Sequence, residues 1–221
     1  MNVSDALLKR KSVRAYLDKT VQKDKIEYIL NHAKHAPSGV NIQPWQVCVL
    51  SGNSKKSLDN KLKNAFLNKK DENMDYQYYP LVWNDIYKNR RKQTGLQMYK
   101  TLDITKDDKD KQLNQWLKNY EAFGAPVVLY FFIDKDLQKG SYLDYGMFLQ
   151  SIALVAVEIG LSTCIEASLA QYPDIVKDEL NISNDKVLLC GIALGYEDNS
   201  DIVNSYRTPR VELEEFTKFY E

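Results

Sequence analysis

Cysteine and histidine are scarce in this chain of 221 residues, with three and two copies. Cys48, Cys164 and Cys190 are scattered, and none sits in a CxxC spacing. Neither a disulfide framework nor a structural zinc site is expected, and a reducing cytoplasm is the expected compartment. Cys48 and Cys190 fall in apolar stretches and read as inert core thiols. His32 and His35 share a helix face by their spacing, but no third ligand lies nearby, so no metal is expected. No apolar run is long enough to span a bilayer. Met1 to Arg10 lacks a basic stretch followed by an apolar one, so no signal peptide is expected. Excess charge is absent too, since Lys+Arg and Asp+Glu both number 30. That balance gives no global pull toward nucleic acid or an anionic membrane, and neither is expected as a partner. Any basic site must be a local cluster. There is no GxGxxG after a strand, no GxxxxGK[ST] and no GxSxG. These absences remove a dinucleotide fingerprint, a P-loop and a nucleophile elbow.

What is present suits one globular domain, with 44% hydrophobic and 27% charged residues. Helical spacing of Ile26, Ile29, Leu30, Ala33 and Ala36 predicts a helix over 23–36, stopped by Pro37-Ser38-Gly39. Trp45 to Leu50 reads as a strand and 54–68 as a helix. From Lys69 to Ala122 the chain is charged, mostly helical and rich in tyrosine, which reads as an insertion or lid at about 69–122. The apolar run Pro126 to Ile133 predicts a strand covered on both faces. A capping box at Ser141 and Asp144 is expected to open a helix over 143–159 that is apolar nearly all round. A short strand from Ser162 to Leu169, a helix at 172–180 and a buried strand from Val187 to Leu194 follow. A polar tail occupies about 199–221. The alternation argues a sheet core covered by helices.

Three motifs carry chemistry. Arg10-Lys11-Ser12-Val13-Arg14 gathers three cations and a hydroxyl, which suits a phosphate, although short basic clusters are more often solvated turns. Ala36-Pro37-Ser38-Gly39-Val40-Asn41-Ile42-Gln43-Pro44-Trp45 forms a rigid loop rich in short donors and acceptors. It fits a flat polar ligand or a plain turn between helix and strand. Asn204-Ser205-Tyr206-Arg207-Thr208-Pro209-Arg210 is a second basic patch, far in sequence from the first.

In this order the motifs resemble those of the nitroreductase family of flavoproteins. Ala36 to Trp45 matches that family's Ala-Pro-Ser-Gly-x-Asn-x-Gln-Pro-Trp signature without departure. Gly124-Ala-Pro126, Asp144-Tyr-Gly146, Gly160 to Cys164, Gly191 to Tyr196 and the tail from Val203 follow in family order. The stretch 123–150 and the tail look most like the branch of nitrobenzoate reductases. The resemblance implies an α+β fold with a central mixed sheet sandwiched by helices, in an intertwined homodimer with two FMN sites. It implies that Arg10, Lys11, Ser12 and Arg14 hold the FMN phosphate and ribityl chain, closed by Arg207 and Arg210. Pro37, Ser38, Asn41 and Gln43 would come from the partner subunit. Cys164, Ile165, Glu166 and Ala167 would run past the flavin N5 and O4 edge, although Ile165-Glu166 departs from the family pattern.

The implied chemistry is a ping-pong exchange in which NADH or NADPH delivers hydride to the flavin and an acceptor then removes it. No catalytic side chain is expected, because the cofactor carries the reaction. The expected acceptor is a nitroaromatic. The alternatives are a quinone or enoate reductase, a flavin-binding protein without turnover, and a globular protein whose basic ends bind anionic partners.

Overall fold

The computed structural model describes residues 1–221. Helix α1 (Val3–Lys9) leads through an extended segment into α2 (Lys23–Ala33). Strand β1 (Gln46–Ser51) runs directly into α3 (Gly52–Leu67). Helices α4 (Asp85–Thr101) and α5 (Lys109–Leu117) precede β2 (Val127–Asp134) and α6 (Lys139–Glu158). Then come β3 (Ser162–Glu166), α7 (Pro173–Leu180) and β4 (Lys186–Gly195). Past β4 the chain makes only single turns of 3-10 helix.

The strands form one sheet in the order β1-β2-β4-β3, and every pairing is antiparallel. The expected mixture of strand directions is confined to a parallel bridge between Ser12 and Thr163. β2 is buried from Val127 to Ile133 because both faces are covered, and the pleat sends alternate side chains to opposite layers. Val127, Leu129, Phe131 and Ile133 meet α2 and α6 through Ile29, Ala33, Phe148 and Ile152. Val128, Tyr130 and Phe132 meet the other layer through Leu58, Leu62, Tyr120 and Val176. A register shift between Phe131 and Phe132 leaves Leu189 of β4 without a partner on β2.

Local signals shift some expected boundaries. α2 ends at Ala33, three residues short of Ala36, since a residue before proline avoids helical backbone. The expected capping box at Ser141 and Asp144 is not formed. α6 begins at Lys139 after Gln138, so both residues lie inside the helix. Asp144 instead accepts the backbone N–H of Gly39 at 3.2 Å, which ties the loop at 37–45 to α6. β3 stops at Glu166, and Ser168–Ala170 turn in a 3-10 helix.

Candidate functional site

The two basic patches, at opposite ends of the sequence, meet in space. Val13 N–H donates to Thr163 O at 3.0 Å, laying the segment 10–14 along the edge of β3. Asn204, only 4% exposed, then clamps the tail onto that segment. Its Oδ1 accepts Arg14 N–H at 2.8 Å, and its Nδ2 donates to Ala15 O and Asp198 O, each at 2.9 Å. Its carbonyl accepts Lys11 Nζ at 2.5 Å. Lys11 also pairs with Glu197 at 2.6 Å, just past the end of β4. Neither Asn204 nor Glu197 stands out in the sequence as a site residue. The only signal was the position of Asn204 at the head of the second patch.

Four arginines surround this clamp. The Arg207 guanidinium donates to the carbonyls of Leu8, Lys9 and Arg10, closing the C-terminal end of α1. Those carbonyls have no partner within the helix, so a cation there is doubly favoured. Arg210 donates to Thr208 Oγ1 at 3.0 Å. Burial, then the charges of Arg210 and Arg207, push the Arg10 guanidinium below its ordinary value. Arg14 donates to Ser12 O at 3.3 Å and lies 5.7 Å from the centre of the Phe123 ring. None of these four arginines forms an ion pair, whereas Lys11 does. Gathered cations that repel one another and form no ion pair are a donor set suited to a phosphate monoester.

β3 forms the wall beside them. Cys164 is buried, and its thiol is pushed up to about 12 by burial and by Glu166, with Arg14, a hydrogen bond to Ser12 and Arg10 acting the other way. It is a neutral thiol at physiological pH rather than a nucleophile. Ile165 points to the opposite sheet face and is partly exposed, while Glu166 is buried. A cleft of about 610 Å³ opens beside this region, lined by Asp5, Leu8, Lys9, Lys11, Glu197 and Arg207. It touches the arginine cluster at Arg207 and does not reach Ser12 or β3.

The remaining site residues lie apart from the cluster. Pro37, Ser38, Asn41 and Gln43 hydrogen-bond only within their loop and, through Gly39, to α6. Val40, Asn41 and Gln43 adopt positive φ, at 46°, 59° and 50°. Val40 is 99% exposed, so a β-branched side chain pays for left-handed backbone without burying anything in this chain. The loop is firmly held at its exit. Trp45 stacks on Phe148 at 4.7 Å, and Gln46 N–H donates to Tyr145 OH at 3.0 Å.

The Tyr-rich segment divides into an anchor and an exposed part. Tyr76 OH donates to the free carbonyl of Leu189 at 2.7 Å, and Asp75 accepts Leu188 N–H at 2.8 Å and pairs with Lys177 at 2.7 Å. Tyr78, Tyr79 and Tyr87 are exposed, and the Arg91 guanidinium lies 5.0 Å from the Trp83 ring centre and 5.7 Å from that of Tyr79. α4 buries no residue at all; it touches the tail through Gln97, which donates to Arg207 O at 3.0 Å. Elsewhere, His32 Nδ1–H donates to Tyr28 O at 2.7 Å, the two rings lie 4.0 Å apart, and no group of three or more potential metal ligands gathers anywhere. No helix is long and apolar enough to cross a membrane.

Comparison with known proteins gives consistent matches. The Nitroreductase family model matches residues 7–196. A 4-nitrobenzoate reductase of Pseudomonas putida is 37% identical over 211 residues, covering 95% of this chain and 92% of that protein. A chloronitrobenzene nitroreductase of Comamonas testosteroni is 32% identical, covering 98% and 96%. Among solved structures, the FMN- and NADPH-dependent nitroreductase NfnB of Sphigopyxis sp. strain HMH superposes with a TM-score of 0.97 at 34% identity, each chain covered in full.

Proposed function

The chain belongs to the nitroreductase family, and we propose that it is an FMN-dependent oxidoreductase that moves electrons from NADPH or NADH to nitroaromatic acceptors. The observation that carries this reading is the gathering of four arginines without ion pairs, with Arg10 and Arg14 beside Cys164 of β3 and Arg207 and Arg210 beside Arg10. The relatives named for nitrobenzoate and nitrobenzene substrates and the FMN- and NADPH-dependent structural neighbours support it.

When bound, FMN supplies a ring that accepts hydride from a nicotinamide and passes it to an acceptor. The residues of this chain do the rest. Arg10, Ser12 and Arg14 bind the phosphate and ribityl oxygens with charge-assisted and neutral hydrogen bonds. Arg207 fixes the end of α1 and so presents Arg10, while Lys11 and Asn204 hold the segment in register. Arg210 adds charge from the tail. Cys164, Ile165, Glu166 and Ala167 would lie beside the flavin ring and supply backbone hydrogen bonds to it. No side chain is assigned a catalytic role.

Pro37, Ser38, Asn41 and Gln43 act on the flavin of a second subunit, which makes the enzyme a homodimer with composite sites. The exposed, strained loop and the unburied α4 support this part. Residues 69–122 act as an acceptor-selecting lid, in which Tyr79, Trp83 and Arg91 form an aromatic and cationic surface. The unpaired thiols fit the cytoplasm. The test is release of the cofactor by denaturation and chromatography, then bleaching of the flavin by NADPH or NADH and recolouring by an acceptor panel. FMN, and recolouring by 4-nitrobenzoate faster than by quinones, is the expected result. Colourless protein that refuses added FMN overturns the reading.

A further inference from the structure

Behind the site lies a group of buried polar side chains that this reading leaves without a role. Strand register creates it. Cys48, Tyr130, Gly191 and Glu166 are successive partners across β1, β2, β4 and β3. They therefore form one row on a single face of the sheet, the face that packs on α3. Gly191 leaves a gap in the row, between the long side chains of Tyr130 and Glu166. Leu169 closes over the gap so tightly that a Cβ on Gly191 would lie 2.4 Å from its Cδ1. α3 brings Lys55 and Asp59 to the same layer, and all four polar residues are buried.

Their hydrogen bonding is incomplete. Lys55 Nζ donates to Asp59 Oδ2 at 2.5 Å and to Glu121 O at 3.0 Å. Glu166 Oε2 accepts Ser168 Oγ at 3.4 Å. Tyr130 OH, Asp59 Oδ1 and Glu166 Oε1 have no protein partner. Three buried oxygens from three elements of one layer lack a protein partner, the need that an internal water satisfies. The balance of donors adds a constraint. With both carboxylates charged, Tyr130 would be the one donor among the three, and two like charges would face each other out of water.

We propose that Glu166, Tyr130 and Asp59 enclose an internal water site in which Glu166 is the neutral acid, leaving the Arg14 guanidinium uncompensated for a bound anion. The groups facing Glu166 fit this assignment. Burial, the largest cause, raises its carboxyl well above the usual range, and Asp59 adds to the rise. Arg14, the hydrogen bond from Ser168 and Lys55 oppose it without prevailing. Tyr130 and Cys164, from β2 and β3 on the same face, are raised first by burial, so neither offers Glu166 a charge that would keep it ionised. Tyr16, packed on the same side, is raised first by burial and also by Glu166. Burial raises the Asp59 carboxyl too, against the opposing charge and hydrogen bond of Lys55, but that direct pairing at 2.5 Å gives Asp59 a compensation that Glu166 lacks.

Only the identity of the anion, the FMN phosphate, rests on the proposed function. The protonation of Glu166 does not. Infrared spectra of the flavin-free protein at neutral pH, wild type against Glu166→Gln, test it directly. The expected difference is a carboxylic-acid carbonyl band that shifts in heavy water and vanishes in the variant. Absence of that band overturns the proposal. Tyr130→Phe serves as the second variant and should shift the band; an unmoved band removes Tyr130 from the water site and overturns the shared arrangement. FMN titration supplies the electrostatic arm. An ionised Glu166 would have been cancelling Arg14, so its removal would tighten binding by roughly tenfold or more; no such tightening is expected. If neither protein takes up FMN, the proposed function fails while the infrared band still decides the state of Glu166.

Discussion

Asn204 makes four hydrogen bonds to partners 6 to 193 positions away, which is more than its place in an unremarkable polar tail would suggest. Asn204→Ala should leave Arg14 N–H and two carbonyls short of partners, at about 1–3 kcal/mol for each group left unpaired and buried. Thermal unfolding together with FMN titration checks this: both should fall, and an unchanged affinity would show that the tail does not hold the phosphate segment. Arg14 and Arg207 differ in kind. Arg14 is expected to touch the anion, whereas Arg207 spends its terminal nitrogens on the end of α1. Each change to alanine should still weaken FMN by at least roughly tenfold, from about 1.5–3 kcal/mol per charge-assisted bond. The double variant should lose less than the sum, because both act through one short segment. Strict additivity in flavin-fluorescence titrations would place them at separate sites. Glu166 makes a pH prediction. Its folded carboxyl lies well above the ordinary 4.5, so the unfolded chain releases the proton first. Stability should therefore fall as pH rises above that value, by up to about 1.4 kcal/mol per pH unit, until the folded carboxyl ionises too. Glu166→Gln removes this linked proton, and its denaturation midpoints should decline less steeply over the same range. Parallel slopes for the two proteins would count against a neutral Glu166.

Elements differ in how plainly the sequence announces them. β2 and β4 are legible because strands covered on both faces must be continuously apolar, and Val127 to Ile133 is such a run. Their order in the sheet is not, since antiparallel pairing of β2 with β4 rests on contacts formed after α6, β3 and α7 have intervened. The clamp at Asn204 was hidden for the same reason, while the Arg10 to Arg14 cluster and the loop at 37–45 could be picked out locally. Asp144 resembles a cap in sequence because a capping pattern and a tertiary hydrogen bond to Gly39 use the same carboxylate. The tyrosines of 76–99 looked alike in sequence and separate in the fold. Tyr76 is bound to Leu189 O at the irregularity in β4, so it belongs to the core. Tyr79 and Trp83 are free to meet an acceptor, as flat rings stack on aromatic side chains. Tyr79→Ala and Trp83→Ala should change the ratio of rates for nitrobenzoate and quinone acceptors while leaving flavin content intact. Tyr76→Phe should instead lower thermal stability by about 0.5–1.5 kcal/mol through the lost hydrogen bond. A parallel loss of flavin or folding in all three would remove the lid from substrate selection.

At the scale of the whole molecule, the surface is that of a protein with part of its covering missing. Val40 and Ile42 on the loop, Ile86, Tyr87 and Leu96 on α4, and Phe216 and Phe219 in the tail are all exposed. Single exposed apolar side chains are ordinary, but those on the loop, α4 and the tail are the ones that the proposed dimer would cover. α4 makes the case most simply: a helix of 17 residues with none fully buried gains little stability from packing, and propensity alone supports short helices poorly. A second copy of this chain would cover these elements and bring Ser38, Asn41 and Gln43 to the other subunit's arginine cluster, by the reciprocity of a two-fold interface. The interface should then exceed the usual size of about 1,600 Å² and resemble a divided core. Two consequences follow for solution behaviour. Dilution or mild denaturant should release flavin over the same range in which the dimer dissociates. Asn41→Ala and Arg14→Ala subunits, each deficient alone, should recover about a quarter of the composite sites when equal amounts are mixed and refolded together, because roughly half of the dimers are mixed and one of the two sites in each then carries neither change. Sedimentation velocity followed at a flavin and at a protein wavelength reads the first, and flavin content of the mixture reads the second. A monomer that retains FMN and is bleached by NADPH, or mixed subunits that regain nothing, would place the whole site within one chain.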